Sequence, residues 1–307
     1  MRDYLGNIRF FERVQSTIVG LTVVFVCFFS SFSSIAKEFD VEVATLERIS
    51  KAAEEGNVNA AYTLGQIYLN GQGVEKDYKQ GKKWILKAVE GKHPPAYTAL
   101  GALYHYGING EKDYKKALEW YRKAAGASVP DSQAMANLGL MYDEGLGIRK
   151  NLQQSFRWYK KAADMDYPRA QYWVGRKYEL GQSVAQSYRN AFQWYQKGAY
   201  QNNAESKYRL GYFHEKALVD KKNLSKAYSW YYAAGLGGNQ ESSADAERIR
   251  GEMTSLEYAK AMNFIGGMYR GICADMLIQL QHRSELTVFR MRCYGHTMPS
   301  RFTGEIE

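Results

Sequence analysis

From residue 60 onward, small and apolar residues return every three or four positions, the spacing that gathers side chains on one face of a 3.6-residue helix. The first such stretch carries Ala60, Leu64-Gly65 and Tyr68 at steps of four and three. Gly71-Gln72-Gly73 then interrupts it, as conformationally free glycines do. A second pattern opens at Asp77, a good N-cap residue, and turns Trp84 and Ala88 inward. The same two-helix pattern restarts four more times, with Asp113 and Asn151 as further N-caps and Gly145-Leu146-Gly147 as a further break. The pattern predicts a series of helical hairpins.

The hairpins keep fixed columns. Gly65, Gly101, Gly139, Gly175 and Gly211 recur at intervals of 36, 38, 36 and 36, and each is followed, always at the same distance, by a tryptophan: Trp84, Trp120, Trp158, Trp194 or Trp230. Those are five of the six tryptophans, so the column is not accidental. The longer second interval falls in the connector GASVPDS, where an insertion is cheap. Before each glycine comes Leu64, Leu100, Leu138, Val174 or Leu210. Three positions after it come Tyr68, Tyr104, Tyr142, Tyr178 and His214. Ala88, Ala124, Ala162, Gly198 and Ala234 follow the tryptophans by four, small enough for close helix approach. A two-helix period of this length marks a solenoid whose units bury their faces against neighbours.

The stretch AAYTLGQIYLNGQGVEKDYKQGKKWILKA resembles the Sel1-like repeat, a relative of the tetratricopeptide repeat with a longer loop between its helices. The shared pattern is A-x-x-x-L-G-x-x-Y-x-x-G-x-G-V followed by D-Y-x-x-A-x-x-W-x-x-K-A, and the likeness covers residues 60–234. It implies an all-α fold, a right-handed α-α superhelix (solenoid) of about five Sel1-like repeats with a helical C-terminal cap. The half unit LERISKAAEEGN places an N-terminal cap at 46–59, and a helical C-terminal cap is expected over 235–284. The fifth unit departs most, with Ser206, His214, Ala217 and Val219 in place of Ala, Tyr, Gly and Gly, as terminal units do. Residues 285–307 read as an irregular tail in which FRMRC alternates like a short strand.

The N-terminus changes the compartment. IVGLTVVFVCFF (18–29) is an apolar run preceded by Arg2, Arg9 and Arg13 and followed by SSFSSIAK, the layout of a secretory signal cut after Ala36. Residues 1–36 are thus expected to be a signal peptide, or else a membrane anchor using 18–35. The chain is expected to be periplasmic, the alternative being attachment to the inner membrane facing the periplasm. In that oxidising setting Cys273 and Cys293 are expected to form a disulfide. The net charge of +9 favours acidic partners, an anionic membrane surface or nucleic acid. Many lysines nevertheless recur at one repeat position (Lys87, Lys123, Lys161, Lys197), and beyond the charge there is no nucleic-acid signature.

Candidate chemistry is sparse. Ser34-Ile35-Ala36-Lys37 fits S-x-x-K but straddles the cleavage site, and neither S-D-N nor K-T-G occurs. The five histidines lack ligand spacing, and there is no phosphate-cradling G-x-x-x-x-G-K-[ST]. Neighbouring acids such as Asp143-Glu144 point about 100° apart on a helix. The reading is a non-enzyme without metal or cofactor.

The likeness to tetratricopeptide families implies that one face of each first helix lines a concave groove for a protein partner. There the last two repeats supply Tyr172, Trp173, Arg176, Tyr208, Arg209 and Tyr212, residue types enriched in binding hot spots. Glu179 and Glu215 fall on the same outward face. Trp173 stands where other units carry Thr63, Ala99, Asn137 and Arg209. The expected partner is another protein, either a toxin or an envelope component, with no nucleic acid and membrane contact only through 18–35 if these are retained. Among roles the resemblance implies is that of an immunity protein against a type VI secreted antibacterial phospholipase. The alternative is a periplasmic scaffold or regulatory adaptor, with a β-lactam-interacting enzyme more remote.

Overall fold

The computed structural model of the chain describes residues 45–280, with side chains as far as Met268. The signal segment and the tail from residue 281 lie outside the described residues, as do Cys293 and the side chain of Cys273, so the expected disulfide and FRMRC strand lie there too. Helices alone make up the regular structure of the described residues, the expected all-α class. The chain forms two compact units, one ending at Ala134 and one beginning at Met135.

The first unit contains α1 (45–54), α2 (Val58–Asn70), α3 (Tyr78–Glu90), α4 (Pro94–Tyr106) and α5 (Tyr114–Ala125). Helix α2 pairs with α3, α4 with α5, and α3 also with α4. Their core joins Ala61, Leu64, Trp84, Ile85, Ala88, Ala96, Leu100 and Leu103. Helix α6 (Ser132–Glu144) spans the boundary. The second unit continues with α7 (Leu152–Asp164), α8 (Pro168–Leu180), α9 (Tyr188–Tyr200), α10 (Ala204–Glu215), α11 (Leu224–Leu236), α12 (Gln240–Glu252) and α13 (Ser255–Leu280). Here α8 packs on α9, α10 on α11, and α11 on both α12 and α13.

The helix ends follow from local chemistry. Asp77 accepts from the backbone N–H groups of Lys79 and Gln80, both at 2.9 Å, and Asp113 and Asn151 likewise cap α5 and α7. Ser187, Asn203, Asn223 and Asn239 repeat the device for α9 to α12. Helices α4 and α8 begin instead with proline in the first turn, where a missing N–H costs nothing. Gly71, Gly107 and Gly181 close α2, α4 and α8 in the left-handed region.

The glycine column has a packing cause. The ring of Tyr121 lies on Gly101, that of Tyr159 on Gly139, that of Tyr195 on Gly175 and that of Tyr231 on Gly211, so close that an added Cβ would sit 2.6–2.7 Å from ring carbons. In the first unit the side chain of Ile85 takes the same place over Gly65. In the last four hairpins the deepest aromatic is therefore the tyrosine after the tryptophan. This corrects the expectation that every repeat tryptophan turns inward. Trp84 and Trp230 are buried, but Trp120, Trp158 and Trp194 are half-buried. Each of the first four tryptophans carries on its ring the lysine three residues later: Lys87 at 4.3 Å, Lys123 at 4.1 Å, Lys161 at 4.5 Å and Lys197 at 4.3 Å. At these separations the ring quadrupole attracts the ammonium.

Candidate functional site

The six aromatic and basic residues singled out on the fourth and fifth repeats all lie in the second unit, and all are half-buried. Tyr172, Trp173 and Arg176 project from α8; Tyr208, Arg209 and Tyr212 project from α10. The Trp173 ring stacks on that of Tyr159 with centroids 5.7 Å apart and planes 17° apart, and it meets Tyr172 edge-on at 5.1 Å, both favoured aromatic geometries. Tyr172 also contacts Tyr195 at 6.0 Å, Tyr208 lies 5.4 Å from the Tyr231 ring, and the Arg209 guanidinium sits 4.3 Å over Tyr212. Trp173 thus both packs against the preceding hairpin and keeps part of its surface open.

Beneath these residues runs a ladder of charges. Glu179 accepts a hydrogen bond from the Tyr195 hydroxyl, pairs with Arg209 of the next repeat, and is 3.1 Å from Arg176. Glu215 repeats the arrangement one hairpin on: it accepts from the Tyr231 hydroxyl at 2.8 Å, from Arg248 at 2.9 Å and from Lys216 at 2.7 Å. Lys177, only 2% exposed, reaches back to Asp143, 34 residues upstream. Tyr208 donates to Asp245 at 3.2 Å, and Arg248 pairs with the same carboxylate.

One expectation changes here. Glu179 and Glu215, placed on the open face by helix periodicity, are each 7% exposed. A buried tyrosine hydroxyl and an arginine draw each carboxylate inward, and buried charge persists only when so paired. Arg176 and Arg209 are consequently held in ion pairs rather than presented as free cations. The hubs that periodicity missed had one visible signal. Lys177 occupies a column otherwise filled by Ile67, Leu103, Met141 and Phe213, and a lysine there requires an acid.

Electrostatics follow the ladder. Burial raises the Tyr195 and Tyr231 hydroxyls, reinforced by Glu179 and Glu215 respectively. Burial alone would raise Glu215, but hydrogen bonds from Lys216, Arg248 and Tyr231 outweigh it and hold its carboxyl at about 2. In the third repeat the ladder is incomplete: Asp143 is one methylene shorter than Glu179, it is engaged by Lys177, and the buried Tyr159 hydroxyl has no hydrogen-bond partner among the described residues. Trp173 stacks over that tyrosine where, one repeat later, Arg209 reaches the Glu179 carboxylate that holds Tyr195.

Among the described residues no group of three or more His, Cys, Asp or Glu side chains could hold a metal ion, and no helix is long and apolar enough to cross a membrane. Paired helices on a fixed glycine–tyrosine column, with an aromatic face laid over internal ion pairs, define a helical-repeat protein of the kind that binds other proteins. The Sel1 repeat matches residues 58–93, 94–128, 132–167, 168–203 and 204–239, more than half of the chain. The chain therefore belongs to the Sel1 repeat family, whose members are generally non-catalytic protein-interaction scaffolds.

No curated protein sequence matches. Among solved structures, c5321, a protective antigen present in uropathogenic Escherichia coli strains and displaying an SLR fold, is 27% identical with a TM-score of 0.60, over 81% of this chain and 55% of that one. The chain thus spans about half the length of that relative. A Sel1 repeat protein from Oxalobacter formigenes is 26% identical with a TM-score of 0.60, over 74% of this chain and 99% of that one. The immunity protein Pa5087 from Pseudomonas aeruginosa, 23% identical with a TM-score of 0.46 over 62% of this chain and 73% of that one, has a likeness of fold alone.

Proposed function

We propose that the chain is an exported, periplasmic protein that binds a protein partner without catalysis, through the α8–α10 face made by Tyr172, Trp173, Arg176, Tyr208, Arg209 and Tyr212. The observation that carries this reading is Trp173: stacked flat on Tyr159, it is held in one orientation yet remains half-buried. Large aromatics fixed before binding lose little entropy on association, and Glu179 fixes Arg176 and Arg209 beside them in the same way. The specific role assigned is that of an immunity protein that blocks a type VI secreted antibacterial phospholipase. Its support is the secretory layout of residues 1–36 and a motif inventory that offers no chemistry of its own.

The test is survival of cells that export such a phospholipase to the periplasm, with and without this protein, beside a Trp173→Ala, Arg176→Ala variant of unchanged helicity. Protection lost in the variant supports both role and face. Failure to protect against any such effector removes the immunity role. Protection retained by the folded variant removes the face.

A further inference from the structure

A second surface stands in the first unit, on the outward side of α3. Lys79, Lys82, Lys83, Leu86, Lys87 and Glu90 follow one another at helical spacings and, with Asn109, line an open concavity of about 420 Å³. Among the described residues no carboxylate forms an ion pair with any of these four lysines. Helix α5 adds to the same side: Lys82 and Lys116 both stand over the Tyr104 ring, at 5.1 and 5.4 Å, and Lys116 is shared with Asp113. Leu86, 37% exposed, lies among the lysines, and Tyr78, 44% exposed, stands at the start of the same helix.

We propose that this face is a docking surface for an anionic lipid membrane. Four lysines against the single carboxylate of Glu90 leave this helix face with an excess of positive charge, and a layer of anionic headgroups relieves the repulsion among them. A soluble polyanion has no use for Leu86 and Tyr78, whereas lysines set around an exposed leucine, with a tyrosine at the edge of the patch, suit the headgroup boundary. The opposite side of α3 is committed to the core through Trp84, Ile85 and Ala88, so the contact is peripheral rather than inserted. The apolar run at 18–29 is separated from α1 by a stretch whose extended reach is on the order of 50 Å, close enough to bring the first unit to a bilayer whenever that run is retained.

The experiment is lysine-acetylation footprinting of the full chain, with phosphatidylcholine vesicles, with the same vesicles containing phosphatidylglycerol, and with inorganic polyphosphate. The apolar run contributes equally to both vesicle types, and Arg2, Arg9 and Arg13 are common to every variant, so what is read is protection at Lys79 and Lys83 and the difference between variants on anionic vesicles. Lys79 and Lys83 are expected to be protected by the anionic vesicles alone, with protection fading as salt rises. The Lys79→Gln, Lys83→Gln variant is expected to lose about fivefold of anionic-vesicle partitioning per lysine. Lys221→Gln, Lys222→Gln, an equal charge change on the fifth repeat, should leave partitioning unaltered. Equal protection by neutral vesicles overturns the proposal. So does protection by polyphosphate without protection by anionic vesicles, or an equal loss in the Lys221, Lys222 control.

Discussion

Replacing Glu179 with alanine removes the carboxylate that three side chains share. The Tyr195 hydroxyl, on a fully buried residue, is left without a partner, a loss of about 1–3 kcal/mol. Arg209, with 15% of its side chain exposed, and Arg176, with 27%, lose their common counter-charge. Breaking a buried pair costs about 3–5 kcal/mol, and the partial exposure of both arginines puts the expectation at the lower end, a total of about 4 kcal/mol once the terms overlap. Glu179→Gln keeps an oxygen for the Tyr195 hydroxyl but not the charge, and should cost about half as much. Adding Tyr195→Phe to Glu179→Ala removes the orphaned hydroxyl and should recover about 1 kcal/mol relative to additive behaviour. Urea denaturation of the full chain at neutral pH, followed by far-ultraviolet circular dichroism, reads all three. An alanine variant within about 1 kcal/mol of the parent, or a glutamine variant as damaging as alanine, would refute the account of Glu179 as a buried hub.

The glycine column predicts that Gly175→Ala, whose Cβ would meet Tyr195 Cε1 at 2.6 Å, destabilises by about 1–3 kcal/mol in the same assay. Ala217 adopts φ 55° where the preceding repeats have glycine. Ala217→Gly should therefore stabilise by about 0.5–1 kcal/mol, seen as a higher Tm. Burial, helped by Lys226, lowers His214 to about 4, so the fold holds it neutral. The stability tied to it is complete above about 6.5 and is lost as pH falls from there towards 4. His214→Phe should flatten the stability profile across that window, by on the order of 3 kcal/mol. Glu215, held at about 2, contributes stability above about 4.5 that is lost at still lower pH, and this acid limb should persist in His214→Phe.

The hairpins were legible because their determinants are local. Glycine breaks, Asp and Asn caps and the spacing of Leu-Gly-Tyr act within one or two turns of chain, and the described residues fold as those signals direct. The fate of the charged face was not legible, because Glu179 finds Arg209 30 residues on and Lys177 finds Asp143 34 residues back. Helix periodicity says which way a residue starts out, not whether a neighbouring hairpin supplies a partner that turns it inward. The tryptophan column misled for a related reason. Its regularity marks a structural position, but the aliphatic stem and charge of the following lysine cover the ring that a second helix leaves open.

The ladder also fixes the order of the repeats. If the fourth repeat were excised and the third joined to the fifth, Asp143 would face Phe213 in place of Lys177. Arg209 would inherit the shorter Asp143 instead of Glu179, and the hydroxyl of Tyr159 would still lack its acceptor. These hairpins share a common frame, but they are not interchangeable beads, because each carries half of a lock cut for the unit that follows. Duplication could have produced the array, yet its present members can be lengthened or shuffled only where no such half-lock is separated from its match.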